Sequence, residues 1–276
     1  MNTSLEQLVE QAQAGDREAL EHVVEQIQDK VYGLALRMLW HTEDARDATQ
    51  EILIRVITRL AQFRGESKFT TWVYRVAANY LRDARKSRLE QQHYTFERFG
   101  DELDEGLSDA PIQCEQPIDE ALLLEEIKIG CTLGMLLCLD RGRRLAYILG
   151  EILEIESAEA AEVLDITPAA FRKRLSRARA GIVDFMKKKC GLVNPGNPCR
   201  CRRRVNHALK LGRVNPGQLL FAQDAGQAAR FPEVLSEIRR LEGARACAAL
   251  YRSHPDFAIA ESFVPFLRRL VDSQSL

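Results

Sequence analysis

The chain reads as nearly all-α: two helical domains joined by an acidic linker, followed by a small, mostly helical C-terminal extension. Three observations predict this. Apolar residues recur three and four apart along most of the sequence, no run alternates cleanly in β-branched residues, and only 9 prolines interrupt 276 residues. A hydrophobic share of 46% supplies real cores, and the length suits two or three domains. The net charge of −1 conceals strong sorting, because the 39 basic and 40 acidic residues fall into blocks.

The first domain is expected over residues 1–92. Ser4 with Gln7 makes a capping box for a short opening helix, and Gly15-Asp16 ends it and caps the next, which runs toward Trp40. Thr42 is expected to cap a third helix, whose Ala45, Ala48, Ile52, Val56 and Leu60 form a core stripe. Asp44, Asp47, Glu51 and Arg55 form a second, polar stripe at helical spacing. Such a stripe is either solvated surface or a site for a basic protein partner, and it would repel DNA. After the loop FRGESKF, a fourth helix is expected from about Thr70 to Lys86. Trp72, Val73, Val76, Ala77 and Tyr80 give it a buried side, while Arg75, Asn79, Arg82 and Lys86 line the other. Cations interleaved with Phe69, Trp72, Tyr74 and Tyr80 suit a single-strand platform, which needs phosphate contacts and rings on which bases stack. The competing reading places Trp72 and Tyr80 in the core.

Residues 93–117 change character. From Glu97 to Glu126 eleven acids stand against one base, Arg98, so the first part of this stretch reads as a linker. The second domain, 118–189, includes the apolar run Gly130 to Leu139, too short for a membrane and read as a buried helix. It ends in SAEAAEVLDITPAAFRKRLSRARA, Ser157 to Ala180. Ser157 is a candidate N-cap, with Ala160, Ala161 and Leu164 as a small apolar face. Thr167-Pro168 restarts the chain, threonine capping and proline preset for the first helical position. Phe171, Leu175 and Ala178 then point inward, and Ala170, Lys173, Arg174 and Arg177 outward. This is the pattern of a helix-turn-helix presenting cations to a nucleic-acid groove. A basic amphipathic helix is also compatible with a solvated face. Against that, Arg172 to Arg213 holds fourteen Lys/Arg and a single acid, Asp184, a block expected to meet phosphate.

Several classes are excluded. No apolar stretch reaches membrane-spanning length, and MNTSLEQL lacks the regions of a signal peptide, so a cytoplasmic protein with reduced cysteines is expected. There is no Gly-rich phosphate loop, no HExxH and no Ser/His/Asp set, so no catalytic activity is expected.

With these elements in view, the chain resembles the extracytoplasmic-function (ECF) type of bacterial RNA polymerase sigma factor, of the sigma-70 family. The resemblance rests on DARDATQEILIRVITRL, FTTWVYRVAANYLRDARK and AAEVLDITPAAFRKRLSRARAGI, in the family's order and spacing, and covers residues 1 to about 190. It implies a region 2-like first domain, a region 4-like second domain, and core RNA polymerase and promoter DNA as partners. An anti-sigma factor is a further candidate partner. By this match the helix with Asp44, Asp47, Gln50, Glu51 and Arg55 docks on the polymerase's largest subunit. The stretch with Trp72, Arg75, Asn79, Arg82, Arg85, Lys86 and Arg88 opens and holds the −10 strand. The second helix of the terminal motif enters the major groove at the −35 element. Ala170, Lys173 and Arg174 are then nearest base edges and Arg172 and Arg177 on phosphates, with Thr167 and Arg179 in the same interface. Asp165 stands where the family often has glycine, and aspartate tolerates positive φ better than most residues. CLDRGRRLAY lacks the usual Pro-Glu start, which leaves that helix boundary open.

The extension, 190–276, lies outside the resemblance. Cys190, Cys199, Cys201 and His207 are ligand types for a tetrahedral zinc, although C-x8-C-x-C-x5-H fits no standard motif. Plain reduced thiols and a redox-active thiolate are the other readings. Arg200, Arg202, Arg203 and Arg204 are expected to extend the DNA contact or bind an acidic protein surface. Phe263, Phe266, Leu267 and Leu270 make an amphipathic face, to be buried on the DNA-binding domain, on a separate partner, or as a packing module. The alternative reading of the whole is a free-standing helix-turn-helix regulator of duplex DNA. An enzyme centred on the cysteines is the third.

Overall fold

A computed structural model of the chain describes residues 3–84, 90, 94–114 and 117–273. Among the described residues the regular structure is helical, with one isolated bridge between Cys190 and Cys199. In chain order the described helices run α1 (Leu5–Gln13), α2 (Arg17–Leu39), α3 (Thr42–Thr58), α4 (Phe69–Asp83), α5 (Phe96–Glu105), α6 (Glu120–Leu137) and α7 (Arg141–Tyr147). They continue with α8 (Ser157–Val163), α9 (Pro168–Lys189), α10 (Cys201–Lys210), α11 (Ala225–Arg240), α12 (Gly243–Arg252) and α13 (Val264–Ser273). They divide into two compact units, residues 1–85, 156–171 and 256–276 in one, and 86–155 and 172–255 in the other.

In the first unit the local signals act as expected. Both halves of the Ser4/Gln7 capping box form. Gly15 turns at φ 97, and the Asp16 carboxylate accepts from the N–H groups of Glu18 and Ala19 at 2.9 and 3.1 Å. The cap of α3 is His41 rather than Thr42: its Nδ1 accepts from Asp44 N–H at 3.5 Å, and Thr42 is the first helical residue. Val24, Ile27 and Leu34 of α2, Ile52 and Val56 of α3, and Phe69, Val73 and Ala77 of α4 are buried as the core. Helix α8 lies against α4 in this unit.

The amphipathic C-terminal face is taken up within the first unit. Phe263, Val264 and Leu267 are buried in the first unit, and α13 lies along α2. Upstream, the Arg37 guanidinium sits 4.7 Å over the Phe257 ring, and burial lowers it to about 10. Ile259 N–H donates to Asp29 at 3.0 Å, Phe263 N–H to Gln28 at 2.9 Å, and Arg268 to both Glu21 oxygens at 2.7 and 2.6 Å.

In the second unit the acidic stretch is more than a connector. Thr95 caps α5, whose Phe99 and Leu103 are buried, and the rings of Phe96 and Phe99 lie 5.2 and 5.5 Å from that of Phe185 on α9. Asp119 caps α6 and Asp140 caps α7, which settles the boundary left open after CLDRGRRLAY. A π-helical turn, Ile148–Ile152, follows. The Glu126 carboxylate, 2% exposed, accepts the N–H groups of Leu220, Phe221 and Ala222 at 2.8–2.9 Å.

The arginines of the extension meet acids and carbonyls of the chain itself. Arg202 pairs with Glu120 at 3.0 Å and Arg203 with Asp109 at 2.7 Å. Arg204 donates to the carbonyls of Glu102 and Leu103, Arg213 pairs with Glu102, and Arg200 donates to the Pro195 carbonyl. Arg202, Arg203 and Arg213 of the basic block after α9 thus pair with the acidic stretch of the same chain.

Candidate nucleic-acid and partner interfaces

On α3, burial of Ala45, Ala48, Ile52 and Val56 turns Asp44, Asp47, Glu51 and Arg55 outward to exposed positions, with Gln50 half-buried. The Arg55 guanidinium stacks 4.7 Å over the Tyr80 ring, so the stripe abuts α4. Burial, then Glu51, raises the Tyr80 hydroxyl, consistent with carboxylates close by.

On α4 the aromatic question divides by residue. Phe69 is fully buried, whereas Trp72 is half-buried in a cluster, its ring 5.6 Å from Phe63 and 5.7 Å from Phe69. Asn79 is half-buried, and Arg82 is exposed, 3.3 Å from Asp83. Arg75 is engaged: Nη2 meets Glu162 Oε1 at 2.7 Å, and Nε donates to the Glu162 carbonyl at 3.1 Å. Arg85, Lys86 and Arg88 lie outside the described residues.

The helix-turn-helix forms by the expected devices, with one shift. Ser157 is the first helical residue, and Glu156 holds the cap position without a side-chain bond. Asp165 takes φ 52, the left-handed turn conformation for which glycine is the usual residue. Thr167 Oγ1 accepts from Ala170 N–H at 3.2 Å, capping α9. Phe171, Leu175, Ala178 and Ile182 are buried, which leaves Arg172, Lys173, Arg174 and Arg177 exposed and Ala170 half-buried. Arg179 stands apart from these, because its Nε is bound to Glu151 at 3.0 Å.

Cys190, Cys199 and Cys201 come close enough for their charges to interact, but His207 is not placed with them. Gly191 N–H donates to the Cys199 carbonyl at 3.0 Å beside the Cys190–Cys199 bridge. His207 instead lines a cavity of about 460 Å³ with Gly106, Gln113 and Lys210. Among the described residues no group of three His, Cys, Asp or Glu side chains is placed to hold a metal ion. Burial pushes Cys199 up to about 11 and raises Cys190 and Cys201, the opposite of an activated thiolate. No described helix is long and apolar enough to cross a membrane.

Sequence reasoning missed four residues that sit at these surfaces: Lys68, Thr71, Glu159 and Glu162. It also missed Glu90, whose buried carboxylate meets Arg141 at 2.8 Å and Arg144 at 2.9 Å. Their spacing carries no local signal, since every partner is distant in the chain.

Residues 23–89 match the family Sigma-70 region 2, and residues 129–181 match Sigma-70, region 4. RNA polymerase sigma-H factor of Pseudomonas aeruginosa is 32% identical over 182 residues, 64% of this chain and 91% of that protein. ECF RNA polymerase sigma factor SigW of Bacillus subtilis is 27% identical over 187 residues, 66% of this chain and 96% of that protein. ECF RNA polymerase sigma-E factor of Escherichia coli strain K12 is 30% identical over 176 residues, 63% of this chain and 90% of that protein. With both regions matched in order and relatives covered over nearly their whole length, the chain belongs to the ECF type of the sigma-70 family of RNA polymerase sigma factors and directs promoter-specific transcription.

Proposed function

We propose that the charge sorting by helix assigns the surfaces: α3 to core polymerase, α4 to the −10 strand and α9 to the −35 element. The observation that carries this reading is the outward placement of Asp44, Asp47 and Glu51 on α3 alongside the outward placement of Arg172, Lys173, Arg174 and Arg177 on α9. Carboxylates repel a phosphate backbone and suit a basic protein surface, while guanidinium groups do the reverse. On α9, Arg174 and Lys173 are the base-reading side chains, since bidentate arginine to guanine is the commonest specific contact. Arg172 and Arg177 hold phosphates and set register. The chain works by binding alone, in the cytoplasm with the polymerase, and residues 1–92 and 118–189 correspond to its two working domains.

The test is capture of core polymerase by the full-length chain and by Asp47→Arg/Glu51→Arg, followed by run-off transcription on genomic fragments. Wild type is expected to capture polymerase and start transcripts, and the double variant to lose both while folding normally. Undiminished capture by the variant would remove α3 from the interface. A free-standing regulator of duplex DNA would have no use for this stripe.

A further inference from the structure

One face of α4 is already filled by a neighbouring helix. Thr71 and Arg75 are four residues apart on one face of α4, and Lys68 stands at its N-cap. Thr71 Oγ1 donates to Glu159 Oε1 at 2.5 Å, and Lys68 Nζ lies 3.3 Å from Glu159 Oε2. Arg75 holds Glu162 through both its carboxylate and its carbonyl, at 2.7 and 3.1 Å. Glu159 and Glu162 sit one turn apart on α8, the first helix of the helix-turn-helix. The Thr71 hydroxyl and Lys68 hold the Glu159 carboxyl below its usual value, so it is ionised near neutrality.

A hydroxyl, an ammonium and a guanidinium in a row are the usual side-chain donors to a nucleic-acid backbone. Here their partners are two carboxylates, those of Glu159 and Glu162. We propose that Lys68, Thr71 and Arg75 form a phosphate-backbone site for the promoter strand, which Glu159 and Glu162 occupy in the free chain. This rests on α4 facing that strand, and it adds two contact residues and a competitor to that reading. The ion pairs are partly exposed: the side chains of Lys68 and Glu159 are 71% and 27% exposed, and those of Arg75 and Glu162 39% and 42%. Each pair biases the closed arrangement by no more than about five-fold. A strand making several charged contacts displaces them. Promoter engagement by α4 and release of α8 are therefore one event, and α8 is freed together with the helix-turn-helix it begins.

The experiment uses the full-length chain and a fluorescein-labelled, random-sequence single strand of ~12 nucleotides, within the usual site size for such surfaces. Anisotropy is read at several salt concentrations. Glu159→Ala/Glu162→Ala is expected to bind about five-fold tighter, because alanine keeps the helix and removes both competitors. Lys68→Ala and Arg75→Ala are expected to bind more weakly, each lowering the log–log salt slope by about 0.7. Hydrogen exchange on the unaltered chain keeps the question open to refutation if a variant misfolds. Added strand is expected to speed exchange in α8 and slow it in α4. Unchanged affinity in the folded Glu159/Glu162 variant, or α8 exchange indifferent to bound strand, would overturn the proposal. Run-off transcription separates the levels: normal transcription with no change in strand affinity defeats only the competition, whereas an unaltered chain that starts no transcripts defeats the surface assignment beneath it.

Discussion

Arg144→Met tests whether one buried guanidinium organises the entry to the helix-turn-helix. Arg144 is 2% exposed. Its Nε donates to the Leu136 carbonyl at 2.9 Å, and Nη2 to those of Leu139 at 3.0 Å and Leu137 at 3.4 Å. The Leu136 and Leu137 carbonyls lie in the last turn of α6 and that of Leu139 just beyond it, where backbone acceptors run short of helical donors. Nη1 meets Glu90 Oε1 at 2.9 Å. Methionine keeps much of the volume and removes every donor, so the loss is chiefly polar. Breaking a buried ion pair from one side costs about 3–5 kcal/mol, and a stranded acceptor costs about 1–3 kcal/mol, overlapping terms that do not add. Arg141 remains 2.8 Å from Glu90 and retains part of the charge compensation. The expected loss is therefore at the lower end, about 3 kcal/mol. Native-state hydrogen exchange at the amides of residues 136–148 measures this locally, without assuming two-state unfolding of a multi-unit chain. Adding Glu90→Gln should recover part of the loss, since the group left behind is then neutral. A loss under about 1 kcal/mol in a folded Arg144→Met variant would refute the account.

Three further outcomes are expected. Arg174→Ala should cost about 1–3 kcal/mol and relax sequence preference in a promoter-binding assay, whereas Arg177→Ala should weaken all sites alike and flatten the salt dependence; identical uniform losses would show that Arg174 touches only phosphate. Leu267, 2% exposed, should lose about 2–5 kcal/mol of local stability on truncation to alanine, far more than Arg268→Ala, because buried volume outweighs a surface ion pair; α13 exchange rates decide it. The folded Glu159 carboxyl lies below its ordinary 4.5, so its contribution is fully present above that value and is lost as pH falls through the lower, folded one. Protection of α8, corrected for intrinsic exchange, should fall over that acid window in wild type and stay flat there in Glu159→Ala.

The features legible in advance were those whose cause lies within about one helical turn. The Ser4/Gln7 box, the Asp16 cap, the positive φ of Asp165 and the Thr167-Pro168 restart each depend on neighbours that the sequence displays. The outward placement of Arg172, Lys173, Arg174 and Arg177 followed from the burial of Phe171, Leu175 and Ala178 at helical period. Helix α5 was missed because acid content masked the spacing of Phe96, Phe99 and Leu103, and because the ring they meet, Phe185, is more than eighty residues away. The intrachain partners of the extension's arginines were not foreseen for the same reason. The sequence neighbours of these arginines are basic, while Glu102, Asp109 and Glu120 reach them only through the fold.

The sequence by itself determined the helices of the first domain and of the helix-turn-helix, which of their faces are charged and which family the chain joins, because periodicity and capping are local and three motifs stand in a specific order. Only the tertiary structure decided which charges are free. Arg172, Lys173, Arg174 and Arg177 stay exposed to solvent, whereas Arg75, Arg202, Arg203 and Arg213 are matched to acids far along the chain. Charge is a property of a residue, but its availability depends on what the folded chain brings within a few ångströms of it.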